Sequence, residues 1–150
     1  MAKILIAGYH RQETENPENN PNQPEVIDYD VLIEKLLEQG HKPIYTKSLS
    51  GMYGFLSVNA TKYGVVVCDT RLIDYDRIVF SDTEGLTNRF HAFRGKVKEY
   101  LRLAGCRVII LADEKLQYLT RGTSEREGFL QLDSPYTIDD VMEAVARCLG

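Results

Sequence analysis

A chain of 150 residues, 43% hydrophobic and 27% charged, carries enough apolar material for one core of ordinary size and too much for a disordered segment. Its formal net charge of −4 argues against nucleic acid as a partner, because phosphate contacts need a basic field. No stretch approaches the roughly 18 apolar residues of a membrane span, and the opening run Ile4-Leu5-Ile6-Ala7 is too short for a secretory leader, so no membrane contact is expected.

In chain order, residues 3–7 form a compact apolar run ending at Gly8, the pattern of a strand buried on both faces. Residues 10–25 are crowded with Asn, Pro, Glu and Gln and predict a long exposed loop. A helix follows over 28–39, with Tyr29, Leu32, Ile33, Leu36 and Leu37 as its apolar stripe and Gly40 placed for a left-handed C-terminal cap. Residues 43–46 read as a short second strand. A helix over 50–60 would turn Met52, Phe55 and Leu56 inward, although Gly51 and Gly54 weaken it.

The run Gly64-Val65-Val66-Val67-Cys68 has the continuous β-branched character of a central parallel strand, and Asp69 follows it. After an acidic stretch over 74–84, a long helix is predicted over 87–104, with Phe90, Phe93, Val97, Tyr100, Leu101 and Ala104 facing the sheet. A fourth strand over 107–111, a short helix over 114–119 and a fifth strand over 128–132 come next. The last helix starts near Thr137. Thr137 and Asp140 have the spacing of a capping box, and Ile138, Val141, Met142, Val145, Cys148 and Leu149 form a stripe.

Strand and helix alternate about five times, which predicts a single α/β domain over 1–150 with a doubly wound, five-stranded parallel sheet and helices on both faces. The three cysteines, Cys68, Cys106 and Cys148, are odd in number and form no Cys-x-x-Cys pair. They read as plain thiols, which fits a reducing, cytoplasmic compartment.

In such a sheet, ligands bind beyond the carboxyl ends of the strands, where the strand order reverses. That rule selects Gly8, Tyr9 and His10 after the first strand, Asp69 and Arg71 after the third, Asp113 after the fourth and Ser134 after the fifth as ligand-binding candidates. Gly8-Tyr9-His10 could cradle a phosphate on backbone N–H groups, but it is not a Gly-x-Gly-x-x-Gly fingerprint. His10, His41 and His91 lack metal-ligand spacing, and no Gly-x-Ser-x-Gly nucleophile turn exists. Arg89, Arg94, Lys96, Lys98 and Arg102 give the long helix a basic character that could meet an acidic partner or RNA, but it reads first as the solvated outer face of an α/β helix.

Asp69-Thr70-Arg71-Leu72-Ile73-Asp74 after a hydrophobic third strand resembles the phosphoacceptor turn of response-regulator receivers, and Gly128-Phe129-Leu130, Pro135 and Thr137–Val141 are similar to a receiver's last strand and helix. The resemblance implies a flavodoxin-like fold with Asp69 as the phosphoacceptor position. The departures are specific. Where receivers carry an acidic pair for Mg²⁺ this chain has Gly8 and Tyr9; where they place a hydroxyl after the fourth strand it has Ala112; and where they place a lysine after the fifth, the candidates are Leu132 and Asp133. One carboxylate gives a hard cation too few oxygen ligands, so no cofactor is expected, Mg²⁺ included. The layout from Asp30 to Val67 is also similar to the receiver-like N-terminal domain of bacterial ornithine, lysine and arginine decarboxylases, which acts in assembly.

The resulting expectation is a bacterial signalling or assembly module, a pseudo-receiver that works through protein partners or self-association and leans away from being an enzyme. Two alternatives stand beside it. One is a small nucleotide- or sugar-binding enzyme that uses the strand ends, with a small-molecule ligand there. The other is a single-domain receiver phosphorylated at Asp69.

Overall fold

In the computed structural model, which describes residues 2–8, 27–59, 63–72, 83–101, 106–112 and 117–150, the β-branched run becomes the middle strand of the sheet. This strand, β3 (Tyr63–Asp69), lies between β1 (Lys3–Ala7) and β4 (Arg107–Ala112), with β2 (Lys42–Thr46) and β5 (Leu130–Asp133) at the edges. The order β2-β1-β3-β4-β5 is parallel throughout, and the register aligns Ala7 with Cys68 and Asp69 with Leu111. This is the doubly wound fold expected from the alternation of elements. Pro43 on β2 removes one backbone donor from the strand, a feature tolerated at a sheet edge.

Alternate residues of the central strands feed two cores. Leu5, Val66, Cys68 and Ile110 pack with Met52 and Leu56 of α2 (Leu49–Asn59) and with Phe90, Phe93 and Val97 of α3 (Thr83–Leu101). Ile4, Ile6, Val65, Val67 and Ile109 pack on the other face with Leu32 and Leu36 of α1 (Tyr29–Glu38) and with Val141, Ala144 and Val145 of α5 (Ile138–Leu149). Full burial on both faces explains why β1, β3 and β4 read as unbroken apolar runs.

The ends of α1 and α5 follow local chemistry. The Asp28 carboxylate accepts from the N–H groups of Asp30 and Val31, capping α1. Gly40 takes φ +83° just beyond that helix, and the N–H groups of Gly40 and His41 return to the carbonyls of Leu37 and Leu36. Thr137 and Asp140 form the anticipated capping box on α5.

Several side chains and boundaries differ from the sequence expectation. Leu37 and Phe55 were expected inward but are 57% and 40% exposed; each sits at the margin of its helix's buried stripe. Leu149 is also partly exposed. Helix α3 already runs from Thr83, ahead of the expected start at residue 87. The fourth helix is not the short segment over 114–119 but α4, Gln117–Glu127, which Gly128 closes at φ +75°; β5 consequently starts at Leu130 instead of residue 128. The reason is that α4 packs through polar groups, so no apolar stripe advertises it. Thr120 and Ser124 are buried, and both hydroxyls donate to Oε1 of Gln131 on β5 at 2.8 Å. Gln131 Nε2 in turn donates to the Gln117 carbonyl at 3.0 Å and to Asp133 Oδ1 at 2.8 Å, and Arg121 is ion-paired with Asp133.

Cys68 is buried, Cys106 and Cys148 are half-buried, and all three are free thiols. Burial pushes the Cys68 thiol well above its ordinary range and that of Cys106 up to about 12. Among the described residues, no helix is long and apolar enough to cross a membrane. The loop expected over 10–25 lies wholly outside the described residues, as does most of the acidic stretch over 74–84.

Candidate functional site

The strand order reverses between β1 and β3, so the ends of these two strands define the position where an open α/β sheet takes a ligand. Gly8 follows β1 and Asp69 ends β3, one register step beyond the Ala7–Cys68 pair. Gly8 is held on both sides of its peptide: its N–H donates to the Thr46 carbonyl at 3.1 Å, and its carbonyl accepts from Tyr45 Oη at 2.8 Å.

Tyr29, the first residue of α1, closes the space above. Its ring lies directly on Gly8, so closely that a Cβ at position 8 would come within 2.4 Å of Tyr29 Cζ and 2.5 Å of Cε1. A glycine is required there for steric reasons. The phenol passes over Gly8 and donates to Asp69 Oδ2 at 2.7 Å, a charge-assisted bond between residues 40 positions apart. The other carboxylate oxygen, Oδ1, accepts from the Arg71 N–H at 2.9 Å, a local turn bond. Asp69 and Thr70 have no exposed surface. The Thr70 hydroxyl and N–H both donate to the Leu111 carbonyl, tying the turn to β4. Burial, reinforced by the neighbouring Asp69 charge, holds the Tyr29 phenol well above its ordinary pKa. It remains a proton donor at neutral pH. The Tyr45 ring packs beside it, with centroids 5.7 Å apart.

Of the residues selected from sequence, the structure brings together Gly8, Asp69 and the Arg71 backbone. Ser134 lies beyond β5, with its N–H donating to the Ala112 carbonyl at 3.0 Å, on the far side of β4 from Asp69. Tyr9, His10 and Asp113 fall outside the described residues. Because β5 ends at Asp133, the residue following the fifth strand is Ser134, not Leu132 or Asp133 as the sequence comparison placed it. The Asp133 carboxylate is engaged by Gln131 and Arg121. Ala112, at the end of β4, is buried and offers only a methyl group.

The residue that sequence reasoning missed is Tyr29. It was assigned to the buried stripe of α1, and it is buried, but nothing in a helical periodicity shows that its hydroxyl reaches a carboxylate on another strand. The only sequence trace is the pairing of a glycine directly after β1 with an aromatic residue at the helix start.

Other groups are accounted for by packing. Lys98 and Arg94 of α3 lie 2.9 and 3.8 Å from the Glu127 carboxylate of α4. The Lys98 hydrogen bond, followed by the charges of Lys98, Arg94 and Arg126, holds Glu127 below the usual carboxylate range. Lys96 lies 4.7 Å above the Tyr53 ring. The basic character of α3 is therefore in large part spent on neighbours within the chain. Among the described residues, no cluster of three or more His, Cys, Asp or Glu could hold a metal ion. A shallow cavity of about 160 Å³ lies between β5 and α5, bordered by Asp133, Tyr136, Asp140, Glu143 and Arg147; Asp69 does not line it.

No protein-family model matches the chain, and no curated protein is significantly similar to it. Solved structures do match. A response regulator receiver domain protein from Clostridium thermocellum superposes with a TM-score of 0.58 at 16% identity, over 99% of this chain and 94% of that one. A response regulator receiver protein from Burkholderia phymatum gives 0.59 at 13% identity over 100% and 96%. The receiver domain of the Francisella response regulator 1452 gives 0.58 at 15% identity over 99% and 97%. The chain thus has the receiver-like, flavodoxin-like fold. At these identities the similarity concerns the fold.

Proposed function

We propose that this chain is a non-catalytic signalling or assembly module that acts through protein contacts, and that phosphoryl transfer at Asp69 has been lost. The observation that carries the reading is the Tyr29–Asp69 bond over Gly8. An attacking carboxylate oxygen must be reachable and in line with the incoming phosphorus. Here one oxygen is bonded to a phenol and the other to a backbone N–H, and the residue has no exposed surface.

The surroundings fit Mg²⁺ poorly as well. A hard cation beside Asp69 needs further oxygen ligands, and the Tyr29 ring fills the space that a carboxylate side chain at position 8 would occupy. At the end of β5 the position after the strand is Ser134, and the cation described there, Arg121, is already ion-paired with Asp133 and so is not left to compensate phosphoryl charge. The fold supports a role in signalling, and the free thiols fit a reducing compartment such as the cytoplasm.

Intact-mass spectrometry after incubation with acetyl phosphate and Mg²⁺, with Asp69→Asn as control, tests this reading. The expected result is no phosphate adduct on either protein. An adduct on the wild type alone would overturn the reading and establish a working phosphoacceptor.

A further inference from the structure

One side of α5 borders the cavity of about 160 Å³ beside β5. Asp140, Glu143, Ala144 and Arg147 follow the i, i+3, i+4, i+7 spacing that aligns residues along one helix face. Leu132, Asp133 and Tyr136 complete the wall. At about 30 Å³ per water, this is room for a compact molecule. It is well below the roughly 300–1,000 Å³ of a pocket for a drug-sized ligand.

The charged groups around it are not equivalent. The Asp133 carboxylate already holds Arg121 and Gln131. Asp140 Oδ2 accepts from the Thr137 N–H at 2.8 Å and completes the capping box. Glu143 and Arg147 are left. Both are exposed, and among the described residues neither has a hydrogen-bond or ion-pair partner. Glu followed four residues later by Arg is a spacing at which the two ordinarily pair along a helix. Here they stand unpaired, one of each sign, at the same cavity. Leu132, Ala144 and the Tyr136 ring supply carbon surface beside them.

We propose that this cavity binds a small free amino acid with an apolar side chain. Its carboxylate pairs with the Arg147 guanidinium, its ammonium with the Glu143 carboxylate, and its side chain lies against Leu132 and Ala144. The guanidinium offers a carboxylate two parallel N–H donors, and a carboxylate is the matching acceptor for an ammonium. A simple anion would satisfy Arg147 but face Glu143, and a simple cation would do the reverse. A molecule carrying both charges is therefore selected. Residues inside a polypeptide have neither group free and are excluded. The inference adds a ligand input to the contact module and does not depend on that reading. Both side chains stand in water, where screening keeps such pairs weak, so a Kd of about 1 mM is expected.

Amide NMR spectra of the isotope-labelled 150-residue chain, titrated with L-valine to about 20 mM, read this directly. The expected result is a saturable set of shifts confined to β5, the turn after it and α5. N-acetyl-L-valine, which lacks the ammonium, and L-valinamide, which lacks the carboxylate, are each expected to bind at least about tenfold more weakly. Arg147→Gln and Glu143→Gln should weaken L-valine binding by a similar factor, with spectra that otherwise overlay on the wild type and so report an intact fold. No saturable shift with L-valine, equal binding of either derivative, or an Arg147→Gln variant that binds like wild type would overturn the proposal. None of these results bears on phosphoryl transfer, because Asp69 does not line the cavity.

Discussion

Helices α4 and α5 cover the same end of the sheet from opposite sides, and they are held by different forces. Val141, Ala144 and Val145 of α5 are removed from water by the strands beneath them. Their attraction has no preferred direction, and it scales with area. At its interface with β5, α4 buries Thr120 and Ser124 and points their hydroxyls at one amide, that of Gln131. There the interaction is directional, and each buried donor or acceptor is costly if its partner leaves. The first kind of helix tolerates many apolar sequences. The second depends on one residue of the opposing strand.

The largest effect should come from that residue. Gln131→Ala strips partners from the Thr120 and Ser124 hydroxyls and from the Gln117 carbonyl at once, and is expected to cost about 2–4 kcal/mol in urea unfolding. Replacing the hydroxyls with their acceptor, as Thr120→Val, Ser124→Ala and Gln131→Leu together, should cost less than Gln131→Ala alone, since the two hydroxyls then leave with their acceptor and only the Gln131 Nε2 bonds to the Gln117 carbonyl and Asp133 are lost in both variants. If the triple variant proves the less stable of the two, the contrast between the helices is wrong.

Next is Tyr29→Phe, which keeps the ring on Gly8 but removes the donor to Asp69; about 1.5–3 kcal/mol is expected at neutral pH. This variant also carries a pH signature. The folded pKa of Tyr29 is raised, so its contribution is complete below the unfolded value near 10 and is lost as pH rises from there towards the folded value. Wild type should therefore lose stability above about pH 10 more steeply than Tyr29→Phe. A residual slope from Tyr45 and Tyr63, which burial also raises, should remain in the variant.

Val141→Ala on α5 should cost about 1–2 kcal/mol, the ordinary loss of two buried carbons, and its neighbours should stay satisfied. The smallest effect is expected from Glu127→Gln, which loosens α4 from Lys98 and Arg94 by about 1 kcal/mol or less. Because the Glu127 pKa is lowered, that contribution is present above the unfolded value near 4.3 and fades as pH falls through the folded one. Acid titration of the two proteins should therefore converge at low pH.

The same division explains what the sequence made readable. β3 and α5 announce themselves, one by Val65, Val66 and Val67 in succession and the other by an apolar stripe behind a capping box. In both, the partner is simply the core, and any apolar surface serves. The sequence predicts a helix only over 114–119 where α4 runs over Gln117–Glu127, because Thr120 and Ser124 look like surface residues until Gln131 is placed beside them. The sequence predicts Phe55 inward because its position beside Met52 and Leu56 gives no sign of where the buried arc stops. At the site, Gly8 and Asp69 were selected from topology. The Tyr29 bond that shapes their chemistry joins residues with no local relation in the chain.

Gly8 and Tyr29 also constrain how the chain can change. An acidic side chain introduced at position 8 by a single substitution would drive its Cβ into the Tyr29 ring, 2.4 Å from the nearest carbon. If Tyr29 were lost first, the buried Asp69 carboxylate would forfeit the phenol proton that stabilises its charge. Either order passes through a weakened intermediate, so the two positions are mutually entrenched, and a route to a metal-binding carboxylate pair here crosses a fitness valley that neither substitution bridges alone.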